Sequence, residues 1–369
     1  MKKRKIWIGV LLCSLCLASC GNSGKESGKE NTTENTEKAD VDPGTEADRK
    51  NSKQADAQQS EEKSYEEIIS DEEIKDFGSV VIVGDAAYEL FTYREEVADS
   101  YATVVNQLGE ALPEVSVYDM IVPLGSGVIF PDNLKDQIQS TDQREAMQSI
   151  FAKLNDSVQA VDVYPDLMEH RKEYIYFRTD HHWTALGAYY AYETFCKEKG
   201  MEPLDLNELE KKEFQGFLGS FYKDTDQDKA LEKNPDVITA YVPKSNATLE
   251  VKASDGTIYN WNIINDVTDY GAGLKYSTFV AGDNPISTIT NQDITDGSSC
   301  VVVKESFGNA LIPFLVDHYQ KIYIIDYRYW TGSLIDLAKE KKVDDVIFIN
   351  NLSMIRNQYL VGQLQAIVK

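Results

Sequence analysis

Positive charge is scarce in this sequence. Against 61 Asp and Glu it carries 37 Lys and Arg, for a formal net charge of −24, and Lys2, Lys3, Arg4 and Lys5 account for four of those cations. Nucleic-acid backbones are held by stripes of Lys and Arg, so nucleic acid is excluded as a partner. The acidic surface also repels anionic lipid, and its plain role is solubility. Histidine is scarcer still, at four in 369 residues. His170 and His318 have no ligand spacing, which leaves Asp180, His181 and His182 as the candidates for a metal site. Three adjacent residues converge poorly on one ion. Of five cysteines, Cys13, Cys16 and Cys20 lie in the first twenty residues. The remaining pair, Cys196 and Cys300, is expected as two free buried thiols, since a chain this long does not need a disulfide to hold its core. No internal repeat is apparent.

What is present begins with a charged n-region and an apolar run from Ile6 to Ala18, the pattern of a secretory signal. The run ends in Leu17-Ala18-Ser19-Cys20-Gly21, a lipobox. Residues 1–19 are therefore expected to be removed, taking the formal net charge from −24 to −28, and Cys20 to carry acyl chains. Acylation of that kind anchors a protein stably to a membrane. Residues 20–63 are rich in Ser, Asn, Thr, Gly and charge, with almost no large apolar side chain. Such a segment is expected as a disordered tether with a coil span on the order of 35 Å. The mature protein is expected outside the cytoplasm, on the outer face of the cell membrane.

From residue 64 to 369 the pattern is globular. β-branched runs recur at 80–83, 115–122, 158–163, 301–304, 322–326 and 346–350, most of them near-continuous and so suited to strands buried on both faces of a parallel sheet. Helical patterns fall between them at 94–110, 141–154, 183–199, 308–318 and 332–341. The alternation predicts an α/β fold, a doubly wound three-layer αβα sandwich. The polar stretch 214–298 breaks the rhythm and is expected as an inserted, partly β subdomain beside the sheet.

Two pieces carry chemistry. In Thr179-Asp180-His181-His182-Trp183-Thr184, Thr179 or Asp180 can cap a helix beginning near Trp183. In an extended lead-in, Asp180 and His182 share a face while His181 points elsewhere. The second piece is Val301-Val302-Val303-Lys304-Glu305-Ser306-Phe307-Gly308-Asn309, an apolar strand that stops at a Ser and turns into a helix. Ligands bind at the carboxyl ends of strands in open α/β sheets, and amides at the start of the following helix would face a developing oxyanion there. A serine hydroxyl needs a base, and the base needs a carboxylate to orient it. Ser306, His182 and Asp180 supply those roles.

With Asp180-His181-His182-Trp183 the globular part resembles the bacterial DHHW protein family, and more distantly the alginate O-acetylation proteins of the SGNH-hydrolase superfamily. The match runs from Val81-Ile82-Val83-Gly84-Asp85 through Thr184 and Gly187 to Glu305-Ser306-Phe307-Gly308. It continues into Ile325-Asp326-Tyr327-Arg328 and Asp345-Val346-Ile347-Phe348. The resemblance implies a flavodoxin-like SGNH sandwich with Asp180, His182 and Ser306 as the triad. It also implies transfer of an acyl group, acetyl above all, to or from a cell-surface polysaccharide. Such a transferase or esterase needs no cofactor, and a membrane-bound O-acyltransferase would be its donor partner. Two departures stand out: Glu305 replaces the usual Asp before the nucleophile, and Ala86 follows Gly84-Asp85 where the ordinary early nucleophile motif has Ser. Asn309, Arg328 and the Ser306 amide are the oxyanion candidates. Arg178 is expected to pair with an acid or with a substrate carboxylate. Two other readings remain: an inactive domain that holds glycan, for which 21 Tyr and four Trp offer stacking surfaces, and a metal-binding lipoprotein using Asp180, His181 and His182.

Overall fold

The computed structural model describes residues 64–369; the expected signal, the lipidated Cys20 and the tether lie outside the described residues. Three short strands come first, β1 (Ile74–Asp76), β2 (Val80–Val83) and β3 (Ala86–Glu89), and they form an antiparallel sheet of their own. The run 80–83, expected in the central sheet, is therefore in a separate one. Four apolar residues between turns carry no information about which partner they will find.

Helix α1 (Glu95–Ala111) buries Val97, Tyr101, Val104, Val105 and Leu108, the three-and-four spacing of one helical face. Strand β4 (Ser116–Val122) follows, then helices α2 (Gly125–Val128) and α3 (Gln143–Phe151), strand β5 (Gln159–Val161), and helices α4 (Tyr164–Glu169) and α5 (Ala185–Lys199). Strand β6 (Glu210–Phe217) pairs only with β7 (Asp236–Val242), and the helical turns α6 (Ser220–Asp224) and α7 (Lys229–Glu232) lie between them. Strands β8 (Ala247–Lys252), β9 (Ile258–Trp261) and β10 (Ile286–Asn291) complete the middle of the chain. The last third is β11 (Ser299–Lys304), α8 (Gly308–Leu315), β12 (Lys321–Asp326), α9 (Leu334–Lys341), β13 (Asp345–Asn351) and α10 (Gln358–Ile367).

The large sheet has eight strands in the order β5-β4-β13-β11-β12-β10-β8-β9. The first five run parallel, whereas β10, β8 and β9 extend it antiparallel. The stretch 214–298 thus contributes three strands to the central sheet itself as well as most of the β6–β7 hairpin. In chain order the five parallel strands read 2-1-5-3-4, which is not the 2-1-3-4-5 of a flavodoxin.

Alternate residues of these strands enter two separate cores, as the two-residue period requires. Met120, Val302, Ile324 and Ile347 pack with α4, α5 and α8. Val301, Val303, Ile325 and Phe348 pack with α1, α3, α9 and α10. The architecture is mixed α/β, with a large mixed sheet covered by helices. Cys196 and Cys300 are free and buried. No described helix is long and apolar enough to cross a membrane.

Candidate active site

The strand β11 ends at Lys304, and the chain turns through Glu305, Ser306 and Phe307 into α8. Against that turn lies the segment Asp180–Trp183. Trp183 is fully buried and its indole Nε1–H donates to the Phe307 carbonyl at 2.9 Å. The Phe177 amide donates to the His182 carbonyl at 3.2 Å. The helix after this segment is capped by Thr184, whose side chain accepts from the Gly187 amide. The cap is thus several residues beyond Thr179 and Asp180, and those two are freed for other contacts.

Ser306 Oγ lies 2.7 Å from His182 Nε2, and His182 Nδ1 lies 2.5 Å from Asp180 Oδ1. An ionised carboxylate only accepts. The imidazole hydrogen is therefore on Nδ1, and Nε2 is the bare nitrogen that receives the serine proton. The same Asp180 oxygen takes the His182 backbone amide at 3.0 Å, so the pair meets across a local turn rather than along an extended strand. His181 does not point away. Its ring stacks loosely on His182 at 3.9 Å, and its Nδ1 lies 2.6 Å from Ser220 Oγ. Burial alone would raise the Asp180 carboxyl, but His182, His181 and the Ser220 amide hold it well below the ordinary carboxylate range. Burial pulls His182 below its ordinary value, and His181 adds to this against the opposing pull of Asp180. His182 is accordingly neutral, and a base, through the neutral pH range.

Much of the support comes from 214–298. The Ser220 amide donates to Asp180 Oδ2 at 2.7 Å. A Cβ on Gly219 would run into the Asp180 side chain, so this position requires glycine. The fully buried Asp236 accepts from the Arg178 amide at 3.0 Å and from the Thr179 amide and hydroxyl at 2.7 and 2.6 Å, fixing the residues just before the triad acid. Tyr276 lies flat on the His182 ring at 3.9 Å and 15°, and its hydroxyl donates to the Ser306 carbonyl at 3.1 Å. One aromatic side chain thus touches both base and nucleophile. Sequence reasoning missed Gly219, Ser220, Asp236 and Tyr276, which stand in no motif; only the fold brings them to the site.

The remaining candidates are placed differently. Arg178 lies over the Tyr174 ring at 4.9 Å, with Nη2 3.4 Å from Asp236, so its partner is an acid of the protein. Arg328 binds Asp326 through Nε and Nη2 at 2.9 and 2.7 Å, and Asp283 at 2.9 Å. The Asn309 amide donates to Asp283 at 2.9 Å. Both oxyanion candidates are thus joined, through the partly exposed Asp283, to a charge cluster with the buried Lys304, which contacts Asp283 and Asp326 at 2.9 and 3.1 Å. Glu305 accepts from the Phe307 amide at 3.2 Å and from the Asn351 amide at 2.9 Å, and its Oε2 lies 3.3 Å from Ser306 Oγ. Burial raises the Glu305 carboxyl. The Ser306 amide donates to no described atom.

Potential ligand atoms of Asp180, His181 and His182 lie within 4.8 Å of one another, closer than adjacency in sequence led one to expect. Both His182 ring nitrogens are nevertheless engaged, one with Asp180 itself. A cation there would have to break the chain of hydrogen bonds that the rest of the site is built to hold.

The class this geometry defines is an α/β protein with a buried Ser-His-Asp relay. A family model described as DHHW protein matches residues 53–325, and the chain belongs to the DHHW family. Among solved structures, a DHHW family protein from Eubacterium siraeum DSM 15702 is 28% identical with TM-score 0.73, over 82% of this chain and 99% of that one. Bacillus cereus PatB1 with a sulfonyl adduct is 17% identical with TM-score 0.63, over 81% and 100%, a likeness of fold. The O-acetyltransferase domain of Pseudomonas putida AlgJ is 12% identical with TM-score 0.41, over 81% and 98%, too loose to argue from. No curated protein matches.

Proposed function

We propose that the protein is a serine-dependent acyltransferase or esterase acting on cell-surface polysaccharide, with acetyl as the acyl group. It would work outside the cytoplasm, held to the membrane by lipid on Cys20 and supplied by a membrane-bound O-acyltransferase. The observation that carries the chemistry is the unbroken relay from Ser306 Oγ through His182 to Asp180. His182 takes the Ser306 proton as Oγ attacks the acyl carbonyl, and the Ser306 amide faces the oxyanion. His182 then passes the proton to the departing oxygen, leaving an ester on Ser306. A sugar hydroxyl or water, deprotonated by His182, attacks that ester, and Ser306 regains its proton. Asp180 orients the imidazole and steadies its positive charge throughout.

The fold supports the same reading in finer detail. Counted from β11, the strand that carries the nucleophile, the parallel strands run 2-1-3-4-5, the flavodoxin order. The domain reads as a three-layer SGNH sandwich whose chain begins part-way round. On that reading Ser306 follows the first strand of the order, where an SGNH nucleophile belongs, and Ala86 after Gly84-Asp85 is no defect.

PatB1, described with a sulfonyl adduct, points to the reagent. A sulfonyl fluoride or fluorophosphonate should label the wild-type protein and not Ser306→Ala, and the wild type should hydrolyse p-nitrophenyl acetate. A folded wild type that neither labels nor hydrolyses would instead be a domain that holds glycan without turnover. The observation favouring that second reading is Glu305, which occupies the Phe307 amide beside the nucleophile.

A further inference from the structure

The large sheet ends at β9, which has no outer partner among the described residues. Asn260, Trp261, Asn262 and Asn265 line an open depression there of about 200 Å³. Trp261 is half-buried against the core, and Tyr259 meets it edge-on at 5.9 Å and 84°, which fixes the indole. Asn265 is mostly buried and its amide donates to the Tyr270 hydroxyl at 3.1 Å. The side chains of Asn260, Trp261 and Asn262 make no hydrogen bond within the described residues, and Asn265 keeps its amide oxygen free.

None of the four lining residues is charged, and the nearest charge in the ladder is the acid Glu250, opposite Asn260. An anionic ligand would find no counter-charge there and would meet Glu250 beside it. A purely apolar ligand would cover the amides of Asn260 and Asn262 and the free amide oxygen of Asn265 without giving them hydrogen bonds, at the usual cost of burying unpaired polar groups. A neutral ring with an apolar C–H face and a rim of hydroxyls satisfies both the indole and the amides. We propose that the depression is a sugar-binding subsite for neutral pyranose units, separate from the triad. The sugar class deepens the polysaccharide reading above and rests on it for its biological meaning, while the binding itself does not involve Ser306. The wall of the depression is also tied to the site. The Asn265 amide donates to Thr278 at 2.8 Å, and Ile264 bridges Phe279, in the turn that carries Tyr276.

The test titrates ¹⁵N-labelled protein with cellohexaose, chitohexaose and a mannohexaose, reading the Trp261 indole N–H, with an oligo-uronate of equal length as the charged comparator. At least one neutral sugar should shift that resonance in both wild type and Ser306→Ala. Trp261→Ala should weaken its binding by about tenfold, near the value of one aromatic contact, and leave p-nitrophenyl acetate hydrolysis unchanged. The proposal is overturned if no neutral sugar shifts the resonance, or if Trp261→Ala binds as well as wild type. It is likewise overturned if the uronate binds better, or if the shift follows protein concentration because β9 edges pair between copies. Sugar binding without ester hydrolysis would support this subsite while counting against the acyl chemistry.

Discussion

Two polar clusters, each rooted in buried side chains, hang from the end of one strand, and they behave differently. Lys304, the last residue of β11, enters a group of two cations and two carboxylates with Arg328, Asp283 and Asp326. Two residues later Ser306 enters the relay with His182 and Asp180. In the first cluster the charges cancel and every proton belongs to a group that keeps it, so the arrangement is fixed. In the second a single proton has two adjacent places to be, on Oγ or on Nε2, and the negative charge on Asp180 favours its transfer. Burial on its own does not make a group reactive. The difference lies in whether the neighbouring groups leave one proton undecided.

Breaking the relay should have the largest effect. Ser306→Ala or His182→Ala is expected to abolish probe labelling and to lower ester turnover by on the order of 10⁴-fold or more, with the melting temperature close to that of wild type. Asp180→Asn should come next. It preserves shape but allows the wrong tautomer, and turnover should fall by on the order of 10³- to 10⁴-fold.

Breaking the fixed cluster should reverse the pattern. Lys304→Met removes the fully buried cation paired with the fully buried Asp326 and the partly exposed Asp283, and should cost up to about 3–5 kcal/mol of stability by denaturant melts. Any probe labelling that survives would then track the folded fraction.

The pH profile separates the clusters more finely. His182 must be neutral to act, and its proton affinity is depressed by burial and by His181. Labelling is therefore lost as pH falls through a value below the ordinary histidine pKa of about 6.5. Removing His181 takes away one depressing influence, so in His181→Ala this acid limb should move to higher pH; an unmoved limb would remove His181 from the electrostatics of the base. The smallest effect is expected of Tyr276→Phe. It keeps the ring on His182 and loses one hydrogen bond to the Ser306 carbonyl, about 0.5–1.5 kcal/mol or up to about tenfold in turnover, whereas Tyr276→Ala should cost more.

The helices at 95–111 and 334–341 and the strand at 345–351 fall within a few residues of their periodic patterns, because each is decided by which residues face the core. The pairing of Asp180 with His182 was also legible, since two residues in one turn need little of the fold to meet. Strand order was not, because a run such as Val346–Phe348 reads the same at the edge of a sheet as at its centre. Tyr276, Asp236 and Gly219 were equally hidden. They lie in a polar stretch without periodicity, and they matter only through close approach to residues far away in sequence. Asn309 and Arg328 follow the ends of β11 and β12, but sequence could not show that Asp283 would engage both.

The position of β13 bears on how the sheet closes. Its neighbours are β4 and β11, so a strand that follows both in sequence fills the gap between them. Until it arrives, β4 and β11 present two raw inner edges, and the base and the nucleophile belong to halves with no shared ladder. Pairing over such sequence distances is slow, and unpaired edges invite association. The parallel part of the sheet therefore stays in two halves until β13 is seated between them.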